Sequence, residues 1–366
     1  MFVEYHAVFD ASKHPGVLKK IDANLKAAQN LGYRADKKIV WGPFWRRHLT
    51  FFKNLISSKA DIIIVRFCVA SGVLQTAAFI WQRIKGAKII IDVPTPVSAV
   101  AEEIKGIEFK IPGHKALKLA LMQIGYPAAF WPANLIIEYS DEQKRYAWGC
   151  RNKMHIIGNG IDVRAIDRIK RPLPDSGDNI NLVGVASLSF WHGYDRILKG
   201  IAGYYQAKQV SGGQKTLRGV HLWIVGNGSE YSSLVALTNK LEINEYVTFT
   251  GFLTGEPLND LYVRMHIGVA SLGLHRIGLN KASVLKAREY ACHGLPMVMS
   301  ADDPDFSSAL PFVYKVPKSD QPLNIESLMG WYSRLSLDYD LNEVVRRHAL
   351  NNLSMEKKFA QIVRLL

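Results

Sequence analysis

The sequence predicts an α/β fold of two Rossmann-like domains in tandem, each built on a parallel β-sheet. Three observations support this fold class. Short apolar segments typical of buried strands alternate with helical segments through both halves of the chain. The 366 residues are enough for two separate hydrophobic cores. The segment Arg171-Pro-Leu-Pro-Asp-Ser-Gly-Asp178 is rich in loop-forming residues and marks the boundary between the halves.

In the first domain, residues 1–172, the clearest strand is the apolar run from Ala87 to Asp92. Its consecutive isoleucines suit a parallel strand that is buried on both faces. The other strands are expected at Val3 to Phe9, Ile39 to Trp41, Ala60 to Arg66, Leu135 to Tyr139 and Met154 to Ile157. The helices are expected at Val17 to Asn30, Gly72 to Ile84, Ala116 to Ile124 and Asp141 to Trp148.

In the second domain, residues 173–340, the alternation continues, so right-handed crossovers should join parallel strands. The last segment, residues 341–366, has helical periodicity. The strands are expected at Ile180 to Ala186, Val220 to Val225, Val247 to Thr250, Ile267 to Ala270 and Met297 to Met299. The helices are expected near Tyr194 to Tyr205, Tyr231 to Leu241, Leu258 to Met265 and Val284 to Cys292.

The formal net charge of +14 permits three interpretations. A basic surface can bind the anionic lipid of a membrane. It can also bind nucleic acid, but the sequence has no zinc finger, no RNA-recognition motif and no concentrated basic tail, so nucleic acid is not expected as a partner. The third interpretation is a solvated basic surface without a partner. Between the first and the third, composition alone does not decide.

The sequence lacks the usual signals for export or membrane insertion. No apolar run reaches the roughly 20 residues that a membrane span needs. The N-terminal segment carries Glu4, His6 and Asp10 rather than a basic stretch followed by an apolar core. The three cysteines lack metal-site spacing and are expected to be free thiols. The expected location is the cytoplasm, with peripheral docking of a basic surface at the inner face of the cell membrane as one interpretation of the charge.

The most informative segment runs from Asn280 to Ser300. It follows an apolar strand by a short loop, continues as a helix that ends at Gly294, and leads into another strand. The unpaired N–H groups and the dipole at a helix N-terminus favour an anionic ligand. Lys286 adds positive charge there, and the carboxylate of Glu289 can bind sugar hydroxyls. The segment therefore predicts a site for an anionic, sugar-containing ligand.

The motif Lys286-Ala-Arg-Glu-Tyr290 followed by Gly294-Leu-Pro296 resembles the nucleotide-sugar site of GT-B glycosyltransferases, close to family 4 (group 1). The order and spacing of further motifs extend the resemblance over most of the chain. It implies two domains facing across a cleft, the first binding the acceptor and the second the donor. It also implies that a C-terminal helix, residues 341–366, packs back on the first domain. The further motifs are Lys13 to Ile21, Ile91 to Pro96, Asn159-Gly-Ile-Asp162, Phe190 to Arg196 and Ile224 to Ser229.

The resemblance assigns the donor nucleotide to loops that follow strands of the second domain. Glu289 matches the glutamate that binds ribose hydroxyls. Lys286 and the N–H groups of Ser283 and Val284 would hold the diphosphate. Phe252 and Leu253 match the segment that lies against the base. An alternative for Glu289 is a surface ion pair with Arg288.

Three departures from the family pattern concern the same site. Ser187 stands where the family has an arginine, and His192 stands near the position of a lysine. Arg196 and His192 are expected to replace part of the missing charge, while Gly193 lets the backbone approach the ligand. The first of the two family glutamates falls at Lys281, with Asn280 beside it, so these two residues are expected at the donor sugar.

The acceptor side of the first domain is expected to include Lys13, His14, Gly16 and His114. Asp92 ends a strand where family members keep a polar active-site group, although it can instead cap a turn before Pro94. The expected catalytic residues are therefore Lys286, His192 and Asp92. No metal is expected, because Asp302-Asp303-Pro-Asp305 is interpreted as a turn. No cofactor is expected besides the donor substrate.

The leading hypothesis is a glycosyltransferase that moves a sugar from a nucleotide-diphosphate sugar to a hydroxyl of a saccharide acceptor. The resemblance implies a retaining, metal-independent reaction. Together with the basic first domain it suggests a lipid-linked acceptor and a role in bacterial surface polysaccharide biosynthesis, such as lipopolysaccharide or exopolysaccharide. The alternatives are a nucleotide-sugar epimerase of the same fold and a non-catalytic scaffold or binding protein. A dinucleotide dehydrogenase is disfavoured because no G-x-G-x-x-G motif opens either half.

Overall fold

The computed structural model of the chain divides into two compact units. The first comprises residues 1–162 with 353–366, and the second residues 163–352. The structure describes residues 1–68, 72–96, 128–139, 149–167, 179–210, 219–338 and 340–366, together with residues 100, 113, 116, 120 and 169. The expected helices at 116–124 and 141–148 lie largely or wholly outside these residues.

The first unit contains a six-stranded parallel sheet with the strand order β2-β1-β3-β4-β5-β6. In sheets of this kind ligands bind beyond the carboxyl ends of the strands. The strands are β1 (Phe2–Val8), β2 (Arg34–Val40), β3 (Ile62–Arg66), β4 (Lys88–Asp92), β5 (Leu135–Glu138) and β6 (Met154–Ile156). The helices joining the first four strands are α1 (Pro15–Asn30), α2 (Phe44–Ser57) and α3 (Gly72–Ile84).

Helices cover this sheet on both faces, which is why its central strands are almost wholly aliphatic. One core cluster includes Phe51 and Leu55 of α2 together with Phe79 of α3. The other includes Ile21 and Ala27 of α1. The two clusters take alternate residues of β3 and β4, as the two-residue period of a strand requires.

The second unit contains another six-stranded parallel sheet, with the order β12-β11-β10-β7-β8-β9. This is the doubly wound Rossmann order, and it reverses between β7 and β10. The strands are β7 (Ile180–Val185), β8 (Val220–Val225), β9 (Val247–Gly251), β10 (Ile267–Val269), β11 (Met297–Met299) and β12 (Val313–Lys315). The helices are α4 (Tyr194–Val210), α5 (Tyr231–Lys240), α6 (Glu256–Val263), α7 (Leu285–Cys292), α8 (Ile325–Asp338) and α9 (Leu341–His348).

The C-terminal segment is divided between the units. Helix α9 belongs to the second unit, where Arg346 donates to the backbone carbonyl oxygens of Cys292 and Val163. A π-helical turn, Ala349–Leu353, separates it from the last helix, α10 (Met355–Arg364). Helix α10 buries Phe359 in the core of the first unit beside α1. The prediction of a C-terminal helix that returns to the first domain is thus confirmed for α10.

The boundaries between the units differ from those expected at residues 172/173 and 340/341. The chain divides after Asp162 and again after Asn352. Sequence composition pointed to the loop-rich segment, but the hydrogen bond from Arg346 already attaches Val163 to the second unit. A contact between residues so far apart in the chain leaves no local signal.

Four elements were missed or markedly shortened in the sequence prediction, and one of them is the whole of helix α8. Helix α2 exposes Phe44, Trp45 and Leu49 between polar residues, so large apolar side chains occur at both its inward and its outward positions. Strand β2 lies at the sheet edge and alternates exposed and half-buried residues, so its polar half looked like a loop. Strand β12, also at an edge, has only three residues. None of the described helices is both long and apolar enough to cross a membrane.

Candidate active site

The strand order places a crevice in the second unit where β7 and β10 part. Connections from these neighbouring strands leave in opposite directions, which opens space beyond their carboxyl ends. Two loops border that space, residues 186–193 after β7 and residues 270–284 after β10. Both are loops that the sequence predicts to carry site residues.

Backbone contacts hold the two loops together. The N–H of Leu272 donates to the carbonyl of His192 over 2.9 Å, and the N–H of Gly273 donates to that of Trp191 over 3.2 Å. Gly193 has a φ of +69°, and a Cβ there would lie 2.7 Å from the backbone nitrogen of Gly273. Only glycine fits this close approach. Residue 193 must therefore be glycine because the backbone of the loop after β10 lies directly against it.

Arg196 has a different role from the expected one. Its side chain is buried, and its guanidinium donates to the carbonyl oxygens of Leu272, Pro317 and Gln321 over 2.6, 3.1 and 2.8 Å. A guanidinium engaged in this way cannot also cradle a diphosphate. The expectation of a donor-binding Arg196 is therefore corrected: this arginine positions the loop after β10.

A second arginine, not predicted, reinforces the same loop. Arg276 forms ion pairs with Asp195 (2.8 Å) and Asp320 (2.7 Å), and it also donates to the carbonyl of Phe190 over 2.7 Å. Bidentate pairing of this type is geometrically specific. Its partners lie 44 to 86 residues away in sequence, so no local motif could have indicated the pairing.

Lys286, near the start of α7, is a basic residue whose charge is not paired with any described carboxylate. Its Nζ lies 3.2 Å from the hydroxyl of Tyr194 and 5.3 Å from the centre of that ring. Within the described part of the chain no carboxylate lies within 4 Å of it. Although the side chain as a whole is half-buried, its ammonium is enclosed, and burial lowers the pKa of Lys286 to about 7. A bound anion would stabilise the charged form.

His192 lies beside Lys286 but does not supply charge. Burial, and after it the nearby charge of Lys286, lower the pKa of His192 well below its usual value, so the ring is neutral near pH 7. Its Nδ1 accepts the N–H of Ser189 over 3.1 Å, which leaves the proton on Nε2. The expectation that His192 replaces a missing positive charge is thus corrected. The ring stacks on Tyr194 with a centroid distance of 5.9 Å.

The start of α7 is less open than expected. The N–H of Val284 is directed at the carboxylate of Asp303, 3.4 Å away, rather than left for a ligand. Ser283 is buried, and Glu289 is half-buried on the helix. The roles of Ser283 and Glu289 in binding the nucleotide stay predictions.

The surface pairing of Arg288 with Glu289, the alternative interpretation, is replaced by a buried charge cluster. Arg288 is completely buried and binds both oxygens of Asp303, one of them over 2.7 Å. It also binds Asp305 over 2.6 Å. The segment interpreted as a turn therefore supplies the counter-charges that fix α7 against the loop after β11. In the sequence, this cluster is indicated only by the three aspartates Asp302, Asp303 and Asp305 close after β11.

Ser187, Asn280 and Lys281 are exposed, as ligand-binding positions require. The backbone around Asn280 is fixed, since its carbonyl accepts the N–H of Asp302 over 2.9 Å and the N–H of Ala282 donates to the carbonyl of Asp302 over 2.8 Å. Their predicted contacts with the donor stay predictions.

Phe252 and Leu253 follow β9, with Phe252 56% exposed and Leu253 half-buried. An exposed aromatic ring offers a stacking surface to a base. Their predicted contact with the base also stays a prediction.

The first unit contains a buried polar cluster around Asp92. One carboxylate oxygen accepts the hydroxyl of Tyr139, and the other accepts the hydroxyl of Tyr5 and the ammonium of Lys20, the last over 2.9 Å. Burial would raise the pKa of Asp92, but the charges of Lys20 and Arg66 and the tyrosine hydroxyls outweigh burial and lower that pKa. Burial also lowers the pKa of Lys20 to about 8. Asp92 thus ends β4 inside a closed hydrogen-bond network, and its catalytic role stays a prediction.

We expect Asp92→Asn to lower the free energy of unfolding by about 2–3 kcal/mol, because it leaves the buried Lys20 ammonium without its counter-charge. Urea denaturation measures this change. The control is Asp22→Asn, which alters an exposed carboxylate on α1 and should change the free energy by less than about 0.5 kcal/mol. A folded Asp92→Asn protein of unchanged stability would show that the pair contributes nothing.

The remaining acceptor-side residues lie near the start of α1. Lys13, His14 and Gly16 are exposed, and His14 is the residue that precedes the helix. His114 lies outside the described residues. That these four residues contact an acceptor stays a prediction.

Part of the second unit is similar to a known family of enzymes. Residues 190–308 match the family model described as Glycosyl transferases group 1. No curated protein sequence matches the chain. Solved structures similar to the whole chain include sucrose-phosphate synthase (tll1590) from Thermosynechococcus elongatus, with a TM-score of 0.65 and 13% identity over 99% of this chain and 98% of that one.

Two further structures have the same fold. The lipopolysaccharide outer core galactosyltransferase WaaB in its apo form has a TM-score of 0.60 and 13% identity over 100% of this chain and 99% of that one. The E. coli trehalose-6-phosphate structure bound with UDP-2-fluoro glucose has a TM-score of 0.61 and 12% identity over 100% and 99%. Residues 190–308 therefore match a group 1 glycosyltransferase domain, and the whole chain shares the two-domain α/β fold of these structures.

Proposed function

We propose that this protein is a glycosyltransferase that takes its sugar from a nucleotide-diphosphate sugar bound beyond β7 and β10. The observation that carries the proposal is the environment of Lys286 in the second unit. Its ammonium is enclosed beside Tyr194, and no described carboxylate is paired with it. An isolated buried charge is unfavourable. A diphosphate is the anion that this fold binds in the similar E. coli structure with UDP-2-fluoro glucose.

The proposed chemistry follows from the charges of these residues. When the bond between the sugar and the diphosphate breaks, negative charge grows on the leaving diphosphate oxygen. Lys286 in its protonated form stabilises that charge, and a neutral His192 can donate a hydrogen bond from Nε2. The acceptor hydroxyl takes the sugar and loses its proton. We propose that the reaction is retaining and uses no metal ion, as the family resemblance implies.

For the rest of the donor we propose four contacts. Glu289 binds the ribose hydroxyls, and Phe252 with Leu253 lies against the base. Ser187 and Gly193 border the diphosphate, and Asn280 with Lys281 contacts the sugar. Exposure of Ser187, Asn280 and Phe252 supports these assignments.

For the acceptor we propose a saccharide, lipid-linked, at the cytoplasmic face of the membrane, in the assembly of a bacterial surface polysaccharide. The net charge of +14 supports an anionic membrane as the place of the reaction. The similarity to the lipopolysaccharide galactosyltransferase supports a polysaccharide product, although at 13% identity it establishes only the fold.

The donor site is tested first by thermal stabilisation with UDP, GDP, ADP and CMP. We expect one nucleoside diphosphate to stabilise the protein by about 2.7 kcal/mol at 100 times its dissociation constant, and Glu289→Ala to remove most of this effect. Glu256→Ala, an exposed glutamate at the start of α6, is the matched control and should respond as wild type. Stabilisation by none of the diphosphates would contradict the donor site and favour a scaffold protein.

A further inference from the structure

The exposed apolar side chains of this protein are concentrated in one region. Eight of the seventeen large ones among the described residues lie between residues 41 and 84. Trp45 is 77% exposed and Ile84 is 75% exposed. Proteins that remain monomeric rarely leave large contiguous apolar patches in water. We call this set the aromatic face, and its members are Trp41, Phe44, Trp45, Leu49, Leu74, Ile80, Trp81 and Ile84.

Helices α2 and α3, which carry the aromatic face, are neighbours over one side of the sheet. Their inward residues, such as Phe51 and Phe79, share one core cluster. The indole nitrogen of Trp81 donates to the carbonyl of Ile56 over 3.2 Å and joins the two helices. Both helices thus expose large apolar side chains on their outward faces, where Arg46 and Lys53 of α2 and Arg83 of α3 are exposed as well. Exposed apolar side chains grouped in this way mark an interaction surface.

The charge of this region has a single sign. Residues 41–60 and 72–90 include no aspartate or glutamate. Arg47 lies over the rings of Trp41 and Phe44, at 4.8 and 5.3 Å. Basic residues beside tryptophan and leucine are the composition of helices that lie in a membrane interface. The seven basic residues are Arg46, Arg47, Lys53, Lys59, Arg83, Lys85 and Lys88.

We propose that the aromatic face docks on the anionic surface of a lipid bilayer. The tryptophan and phenylalanine rings enter the headgroup region, and the surrounding lysines and arginines contact anionic lipid. A second copy of the chain fits less well, because a symmetric dimer would place these cations against one another. The proposed function explains what docking is for, namely access to a lipid-linked acceptor. Docking itself does not depend on that function, because membrane binding is measured without any sugar.

The test is sedimentation of the full chain with vesicles of phosphatidylcholine alone or mixed with about equal phosphatidylglycerol. We expect wild type to bind the mixed vesicles and to be released by salt. Trp45→Ser/Ile84→Ser should lower the partition coefficient by at least about tenfold. The control Leu31→Ser/Leu365→Ser changes exposed leucines beside the other core cluster, at the ends of α1 and α10, and should leave the coefficient within about twofold.

Three outcomes would overturn the proposal: no binding of wild type to mixed vesicles, equal losses in both double variants, or retained binding in Trp45→Ser/Ile84→Ser. A wild-type dimer in sedimentation velocity that this variant dissociates, without vesicle binding, would instead assign the face to self-association. Thermal stabilisation by the nucleoside diphosphate is recorded on the same samples. The aromatic-face variant should keep that stabilisation, so failure of docking and failure of the donor site are distinguishable.

Discussion

Lys286→Met is expected to weaken donor binding and, at the same time, to stabilise the ligand-free protein. The two effects have one cause. Burial lowers the pKa of Lys286 from 10.5 to about 7, so the free protein bears the unfavourable free energy of an enclosed ammonium. Methionine fills similar space without charge. One unit of pKa corresponds to about 1.36 kcal/mol, and we expect the free energy of unfolding at neutral pH to rise by about 2–4 kcal/mol.

The effect on stability depends on pH in a defined direction. Between pH 7 and 10.5 the unfolded chain keeps the lysine proton that the folded chain releases, so wild-type stability rises with pH through this window. The advantage of Lys286→Met should therefore be full below pH 7 and should disappear towards pH 10.5. Urea denaturation at several pH values measures it. An advantage that does not change with pH would show that packing, not charge, is responsible.

The effect on function has the opposite sign. Loss of a charge-assisted contact to the departing diphosphate should lower kcat/KM by about 10²–10³-fold. Wild-type affinity for the diphosphate should fall as pH rises above 7, because binding then requires uptake of a proton by Lys286. Lys240→Met, an exposed lysine at the end of α5, is the matched control. A Lys286→Met protein that binds the diphosphate with unchanged affinity would contradict its role.

Arg288→Met is expected to be among the most destabilising substitutions in the second unit. It leaves Asp303 and Asp305 without their shared counter-charge in a buried setting. Removing one partner of a buried ion pair typically lowers the free energy of unfolding by about 3–5 kcal/mol. We expect a loss in this range by urea denaturation. Arg334→Met, on the surface of α8, should change it by less than about 0.5 kcal/mol.

A combined variant separates charge from packing in this cluster. Arg288→Met/Asp303→Asn/Asp305→Asn removes all three charges at once, and it should recover more than half of the stability lost in Arg288→Met. If the combined variant is no more stable than the single one, the loss comes from the packing of the arginine side chain on Phe306, 5.1 Å away, and not from unpaired carboxylates.

Much of the fold could be predicted from local sequence. The apolar runs of β3, β4 and β8 identify buried parallel strands because their composition directly reflects burial on both faces. The two-domain α/β fold predicted from motif order is confirmed, and residues 190–308 match the glycosyltransferase family that the motifs resemble. Helix α2 was missed because its exposed aromatic residues erase the contrast between inward and outward positions.

The candidate site could be predicted from the sequence only in part. The loops after β7 and β10 were identified because strand ends and glycines are visible in sequence. The roles of the charged residues within them were not. Arg196, Arg288 and Lys286 look alike as basic residues near a predicted ligand, yet two of them are bound by the protein itself.

The sequence by itself determined the order of the central strands and most helices, the loops that border the crevice and the excess of positive charge. Periodicity, turn residues and composition are local properties, so they need no knowledge of distant contacts. Only the tertiary structure decided which cation is left for a ligand, where the chain divides and which helices present an apolar face. These features depend on contacts between residues that lie 15 to 183 positions apart in the chain, such as Arg288 with Asp303 and Arg346 with Val163. Folding, and not the neighbouring sequence, brings such residues together.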